Sequence, residues 1–180
     1  MKKTLLIVLI LLIQGCSSIP LSTMWKMRNF DENSFTQIEP RYIRMKVRTD
    51  KPMDVDNDSI KLKFGFEGKT EKQEEILGLE LIATDKKNIS HFFSDDTQEY
   101  SYTFRLKPES IMAMQKVQRS PLVHKKKREG KASFSASWNF GEKTPTQYTI
   151  SIDLQLDPTN GYFTLIDEYY FDFDKLQKES

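Results

Sequence analysis

Residues 148–156, YTISIDLQL, alternate between apolar and polar side chains, and the sequence DPTNG at 157–161 follows directly. Apolar side chains at every second position indicate a strand that buries one face and exposes the other. After DPTNG a second apolar stripe runs through residues 163–173, with Phe163, Leu165, Tyr169, Phe171 and Phe173. Because Asp, Pro, Asn and Gly favour tight turns, the two segments are predicted to pair as an antiparallel hairpin.

The same alternation extends back through most of the chain. It recurs in residues 41–49, 60–66, 76–84, 100–106 and 132–140. Seven strands that each carry an apolar face must bury those faces against one another. The sequence therefore predicts an all-β fold, a single two-sheet β-sandwich of about seven strands that resembles the immunoglobulin and transthyretin folds in plan.

Two connections between these strands are long, residues 85–98 and 107–130, and the second holds one short helix. Pro108 suits the first turn of a helix, and apolar residues recur at Ile111, Met114 and Val117. Pro121 restricts the residue before it and is predicted to end the helix.

The N-terminus carries a targeting signal. Met1-Lys2-Lys3 is positively charged, and the apolar run of residues 5–13 is too short to span a bilayer as a helix. It ends in Ile13-Gln14-Gly15-Cys16, which resembles the lipobox of bacterial lipoprotein precursors. The resemblance implies a diacylglyceryl group on the Cys16 sulfur and cleavage after Gly15. Cys16 is the only cysteine of the chain, so it stands at the one position that lipidation needs.

This interpretation divides the chain into a cleaved signal peptide at 1–15, a lipidated tether at 16–40 and a β-sandwich domain at 41–180. Ser17 and Ser18 follow the cysteine, and by resemblance to enterobacterial lipoproteins this favours the outer membrane, with the domain facing the periplasm. The membrane is thus the first expected partner. The apolar side chains of the tether are expected either to pack along the domain edge or, at Trp25, to lie at the level of the lipid headgroups.

Cations alternate along the first two predicted strands: Arg44, Lys46 and Arg48 on one, Lys61 and Lys63 on the other. If these strands pair, the five charges share an outer face, and like charges opposite each other are destabilising. These charges can be neutralised within the protein, by the acidic residues of the last strand, Glu168, Asp172 and Asp174. The alternative is an external anion, such as a lipid phosphate, an acidic glycan or an acidic patch on another envelope protein.

A second cationic cluster lies in the 107–130 connection, at Lys125, Lys126, Lys127 and Arg128. Such a run is either a solvated face or a contact with an anionic membrane surface.

Composition excludes several classes of protein. With 27 Lys and Arg against 26 Asp and Glu, the chain lacks the basic excess of a nucleic-acid-binding domain. One Cys and two His cannot supply a cysteine-rich or histidine-based zinc site. Asp54, Asp56 and Asp58 have the spacing of a calcium loop, but Ser59 and Gly65 replace its required Gly and Glu, so a turn is predicted instead. No cofactor or metal is expected.

Catalytic motifs are missing from the sequence, and lipidation would remove the Cys16 thiol as a nucleophile. The expected function is therefore a non-catalytic, lipid-anchored envelope lipoprotein that binds or positions another envelope component. Two alternatives stay open. One is a carrier that holds a lipid or other apolar ligand between its sheets, and the other is a hydrolase of wall or surface polymers.

Overall fold

The chain folds into mostly antiparallel β structure with few helices. The computed structural model describes residues 20–23, 28, 32–55, 60–67, 72–90, 96–120, 131–137 and 144–176. The strands in this part of the chain are β1 (Arg44–Thr49), β2 (Lys61–Glu67), β3 (Lys72–Ile89), β4 (Thr97–Leu106), β5 (Lys131–Ser137), β6 (Gln147–Gln155) and β7 (Phe163–Asp172). The helices are α1 (Glu32–Gln37), α2 (Pro108–Gln118) and α3 (Phe173–Leu176), with 3-10 turns at Pro40–Tyr42 and Pro158–Asn160.

The seven described strands are joined in one curled sheet in the order β5-β2-β3-β4-β1-β6-β7, and every neighbouring pair is antiparallel. The all-β prediction is confirmed, but the two-sheet sandwich is not. The strands form one continuous sheet instead of two separate ones because β3 is long, spanning 18 residues. Its first half pairs with β2 and its second half with β4, so one strand connects both parts of the sheet.

The predicted long connection at 85–98 is wrong, because half of its residues belong to strands. β3 runs to Ile89 and β4 begins at Thr97, with residues 86–89 paired to residues 97–100. Residues 85–88 are polar and exposed, so no apolar alternation marks them. Hydrogen bonds to β4, rather than burial of a face, hold this part of β3 in an extended conformation.

One buried cluster forms the core, and it draws on both parts of the sheet. Its members share a relative exposure below one tenth: Ile43, Met45, Val47, Ile60, Leu62, Leu77, Leu79, Tyr102, Phe104, Leu106, Met114, Tyr148, Ile150, Ile152 and Leu154. The predicted apolar faces of β1, β4 and β6 are therefore the faces that the structure buries.

The predicted helix is confirmed as α2, and it docks where β3 passes from β2 to β4. The Gly78 amide donates to Ser110 Oγ at 2.7 Å, and the Lys107 amide donates to the Gly78 carbonyl at 3.0 Å. A Cβ atom at Gly78 would lie 3.2 Å from the Lys107 side chain, so glycine permits this close approach. Met114 and Val117 are buried, as the spacing predicted.

The predicted β6–β7 hairpin is also confirmed. In the connection, the Asp157 carboxylate accepts from the Thr159 amide at 2.8 Å and from Asn160 Nδ2 at 3.1 Å. Gly161 has φ of 63°, a left-handed conformation that glycine adopts without a steric penalty. No helix among the described residues is long and apolar enough to cross a membrane.

Candidate functional site

The outward face of β1 presents three cations in a row, which we call the β1 cation face: Arg44, Lys46 and Arg48. Burial alternates along this strand, with the residues between the cations buried in the core. β1 lies between β4 and β6, which flank the row on both sides. In register, Lys46 is opposite Thr103 on β4 and Asp153 on β6.

Arg48 is paired inside the protein. Its Nε donates to Asp153 Oδ2 at 2.8 Å, and its Nη1 donates to Glu99 Oε2 at 3.2 Å. The hydrogen bond to Asp153 raises the pKa of Arg48 above its ordinary value, while burial acts in the opposite direction. Asp153, only 7% exposed, also accepts from Thr164 Oγ1 at 2.7 Å. Arg48 therefore belongs to a structural network.

Arg44 and Lys46 differ from Arg48, because neither makes an ion pair with any carboxylate among the described residues. The Arg44 Nη1 atom donates to the carbonyls of Arg41 and Ile43, at 2.7 and 2.8 Å. The Lys46 ammonium lies 4.6 Å from the centroid of the Tyr162 ring. Both cationic groups thus lie against neutral groups of the protein.

Tyr162 comes from the loop between β6 and β7 and lies beside both cations. Burial raises the pKa of its hydroxyl, and the charge of Arg44 partly offsets this increase. Tyr162 is 38% exposed, so this residue and the two cations beside it border the solvent. Sequence analysis missed Tyr162; its position directly after a turn gave no sign that it would cover β1.

The other two predicted cations lie elsewhere. β1 and β2 do not pair, so Lys61 and Lys63 do not join the β1 cation face, and the predicted five-residue patch is wrong. Lys63 forms an ion pair with Glu74 at 3.0 Å. Both lysines are exposed on β2.

The acids expected to answer the cations were also the wrong ones. Asp172 accepts from Gln147 and Asp174 from Thr146, and neither forms an ion pair with β1 in the structure. Glu168 lies at a left-handed position in an irregular part of β7, with φ of 46°. The acids that form ion pairs with β1 are Asp153 and Glu99, which lie on the strands that flank it.

The tether of the predicted lipoprotein contacts the domain at two places. Thr23 is 3% exposed, and its Oγ1 donates to the backbone carbonyl of Thr164 on β7. Farther along, the Gln118 side-chain amide of α2 donates to the carbonyls of Phe35 and Ile38, at 2.9 and 2.8 Å. These contacts fit the expectation that the tether packs along the domain edge.

An open groove of about 610 Å³ lies between the tether and the β6–β7 connection. Its lining mixes apolar side chains (Ile38, Leu156, Phe163) with polar ones from both walls. This groove was not predicted, because its walls come from segments more than 100 residues apart.

Several predicted sites lie outside the described residues: Cys16, Trp25, and the cluster Lys125, Lys126, Lys127 and Arg128. The Asp54–Asp58 segment is described only through residue 55. Within the part of the chain that the structure describes, no group of three or more His, Cys, Asp or Glu residues is placed to hold a metal ion.

Comparison with known proteins gives no relative. No family model, curated protein or solved structure matches the chain.

Proposed function

We propose that the protein is a non-catalytic lipoprotein, anchored through Cys16, whose domain is held close to a membrane so that Arg44 and Lys46 of the β1 cation face meet anionic groups there. The observation that carries the proposal is the contact between Thr23 and Thr164. Thr23 follows Cys16 by seven residues, and a fully extended chain of that length reaches at most about 25 Å. A lipid at Cys16 would therefore keep this edge of the sheet near the bilayer surface.

The cations lie close to the same edge. Lys46 is in register with Asp153, and Asp153 is in register with Thr164, so a single row of cross-strand neighbours links Lys46 to the tether contact. Adjacent strands are about 4.8 Å apart, which separates Lys46 from Thr164 by about 10 Å. Outer-membrane location and periplasmic orientation are part of this proposal and rest on the residues around Cys16.

Vesicle binding tests the role of the cations. The processed chain, residues 16–180 with Cys16→Ser, is mixed with vesicles of phosphatidylglycerol or of phosphatidylcholine. Each Lys or Arg near an anionic surface adds about 1 kcal/mol, so the double variant Arg44→Ala, Lys46→Ala is expected to bind the anionic vesicles about thirtyfold more weakly.

The matched control is the pair Lys61→Ala, Lys116→Ala, which removes two exposed cations that belong to β2 and α2 and not to the strands around the Thr23–Thr164 contact. An equal loss in the control would show non-specific attraction and contradict the proposed orientation. Binding only to an acidic protein from the same membrane, and not to vesicles, would shift the ligand from lipid to protein.

The groove supports a second candidate function, the carrier of a small apolar or amphipathic ligand. Ile38, Leu156 and Phe163 offer an apolar wall, and the opening to solvent allows entry. Extraction of the native protein with organic solvent, followed by mass spectrometry, tests this candidate. Phe163→Asp is expected to abolish any co-purified ligand, and the absence of ligand from the wild-type protein would contradict the carrier.

The two-sheet sandwich also remains a proposal. Its support is the shared core, in which Leu62 and Leu77 from the β2 side join Met45 and Phe104 from the β1 side. We propose that the curl of the sheet brings these two parts face to face as the layers of one sandwich.

A further inference from the structure

The second half of β3 forms an unusual edge. From Ala83 to Ile89 it pairs with residues 97–103 of β4, and we call this pair of segments the β3–β4 ribbon. On its other side, β3 pairs with β2 only up to Gly78, and the Leu79 amide donates to Ile60. Beyond Leu79, no strand among the described residues pairs with this edge.

The β3 side of the ribbon gains little from burial, whereas Tyr102 on the β4 side belongs to the core. β1 covers β4 only as far as Tyr100, so residues 97–99 of β4 have β3 as their single described neighbour. The side chains of residues 82–88 are exposed. A two-stranded ribbon is marginally stable in water unless a third strand or a packed layer completes it.

The open edge is polar but not blocked by proline or by a bulge within residues 83–89. The Lys86 amide donates to the neighbouring Asp85 carboxylate at 2.9 Å, so a local side chain rather than a strand satisfies it. Alternate residues of a strand direct their backbone groups to the same edge, which places those of Thr84, Lys86 and Asn88 together.

The sequence of the edge is self-complementary in charge. The register with β4 places Ala83, Asp85, Lys87 and Ile89 on the face opposite the core. If a second copy pairs antiparallel with its two-fold axis at Lys86, each Asp85 lies opposite Lys87 of the other copy. Ala83 then lies opposite Ile89, so both outer pairs are apolar.

Neighbouring registers lack this match. An axis at Asp85 would set two aspartates opposite each other, and an axis at Lys87 would set two lysines opposite each other while placing Asp85 against Ile89. In the register centred on Lys86, the two Lys86 residues lie opposite each other on the other face. Each of their ammonium groups already lies 5.4 Å from the centroid of its own Tyr100 ring, which accommodates the charge.

We propose that the β3–β4 ribbon is a self-association edge, at which two copies of this chain pair antiparallel along residues 83–89 with Lys86 on the two-fold axis. The partner is a second copy because two cross-strand Asp–Lys pairs form in this register, and pairs of opposite charge stabilise antiparallel strand pairing. The inference does not depend on lipidation, although a membrane anchor would raise the effective concentration of the two copies.

Cysteine crosslinking in membranes tests the register. Opposite residues of antiparallel strands have Cα atoms about 4.5 to 5.5 Å apart, within the range of a disulfide. The full chain carrying Lys86→Cys is expected to form a disulfide-linked dimer under mild oxidation. Asp85→Cys and Lys87→Cys, produced together, are expected to crosslink to each other more than either does alone.

Two controls accompany this test. Met112→Cys is 64% exposed on α2, away from the ribbon, and reports random collision. The wild-type chain reports any disulfide through Cys16, which would contradict lipidation without affecting the ribbon. Crosslinking of Lys86→Cys no stronger than that of Met112→Cys would overturn the proposed edge.

Charge reversal gives an independent measure. In sedimentation of the detergent-solubilised chain, Asp85→Lys is expected to weaken dimerisation at least about tenfold, because two attractive pairs become repulsive. The double variant Asp85→Lys, Lys87→Asp restores the pairs and is expected to recover much of the loss, whereas Glu109→Lys on α2 changes little. A monomeric wild-type protein at every concentration, or a full-strength Asp85→Lys dimer, would refute self-association.

Discussion

The centre of the sheet and the β3–β4 ribbon contain similar charged residues but differ in the number of strands beside them. At the centre, β1 has neighbours on both sides, and Arg48 meets Asp153 and Glu99 across them. In the ribbon, Asp85 and Lys87 have one neighbouring strand, and neither forms an ion pair among the described residues. A strand on each side gives Arg48 an acid from both neighbours, whereas Arg44 and Lys46 on the same strand have no acid within ion-pair distance among the described residues.

The largest expected difference concerns apolar side chains. Phe104→Ala removes a side chain that is 1% exposed at the centre and is expected to lower the free energy of unfolding by about 3 to 5 kcal/mol. Ile82→Ala, beside the ribbon and 43% exposed, is expected to cost about 1 kcal/mol or less. Chemical denaturation of both variants measures the two values, and equal losses would contradict the described burial.

The next difference concerns the acids. Asp153→Ala leaves Arg48 with Glu99 alone and removes the acceptor of the Thr164 hydroxyl, so a loss of about 2 kcal/mol is expected. Asp85→Ala is expected to change stability by less than about 0.5 kcal/mol, because its carboxylate is exposed. The same denaturation experiment compares them, and a neutral Asp153→Ala would show that the Arg48 network is dispensable.

The third comparison concerns the tether and sets Gln118 of α2, which donates hydrogen bonds to it, against Gln115 of the same helix. Gln118→Leu removes both hydrogen bonds to the Phe35 and Ile38 carbonyls and is expected to cost about 1 to 2 kcal/mol. It should also speed amide exchange in residues 32–39, measured by hydrogen–deuterium exchange. Gln115→Leu, one turn earlier on α2, is the control; equal effects would mean that the amide of Gln118 does not hold the tether.

The smallest expected effect lies in the β6–β7 connection. The hydrogen bond from the Thr159 amide lowers the pKa of Asp157 below its ordinary value of 3.8. A carboxylate whose pKa is lower in the folded than in the unfolded protein stabilises the fold at pH values above its unfolded pKa. This stabilisation is lost as the pH falls through its folded pKa. Asp157→Asn is thus expected to be less stable than wild type at about pH 6, and this difference is expected to shrink as the pH falls below 3.8 and through the folded pKa. A difference that persists in acid would show that charge is not the cause.

Sequence reasoning succeeded where one face of a strand is buried. The alternation in β1, the turn at Asp157 and the spacing of α2 depend on local patterns, and each is confirmed. In β6 the predicted apolar face is buried, but Ser151 and Asp153 of the polar face are buried too. It failed where pairing alone holds the chain extended. Residues 85–88 carry no apolar period because both of their faces meet solvent, so strand β3 was predicted too short.

The candidate site was predictable only in part. The outward row of Arg44, Lys46 and Arg48 followed from the alternation in β1. Which of these cations is neutralised depends on the neighbouring strands, and strand order is a long-range property that one sequence does not reveal. The same limit hid Tyr162, which approaches β1 from a loop more than 100 residues away.

The central claim is that a lipid on Cys16 anchors this domain, and intact-protein mass spectrometry of the chain extracted from membranes tests it most directly. The account predicts a chain that begins at residue 16 and carries the added mass of a diacylglyceryl group at Cys16, with or without a further acyl group. A chain that retains residues 1–15, or one that begins at residue 16 and bears an unmodified Cys16 thiol, would contradict it.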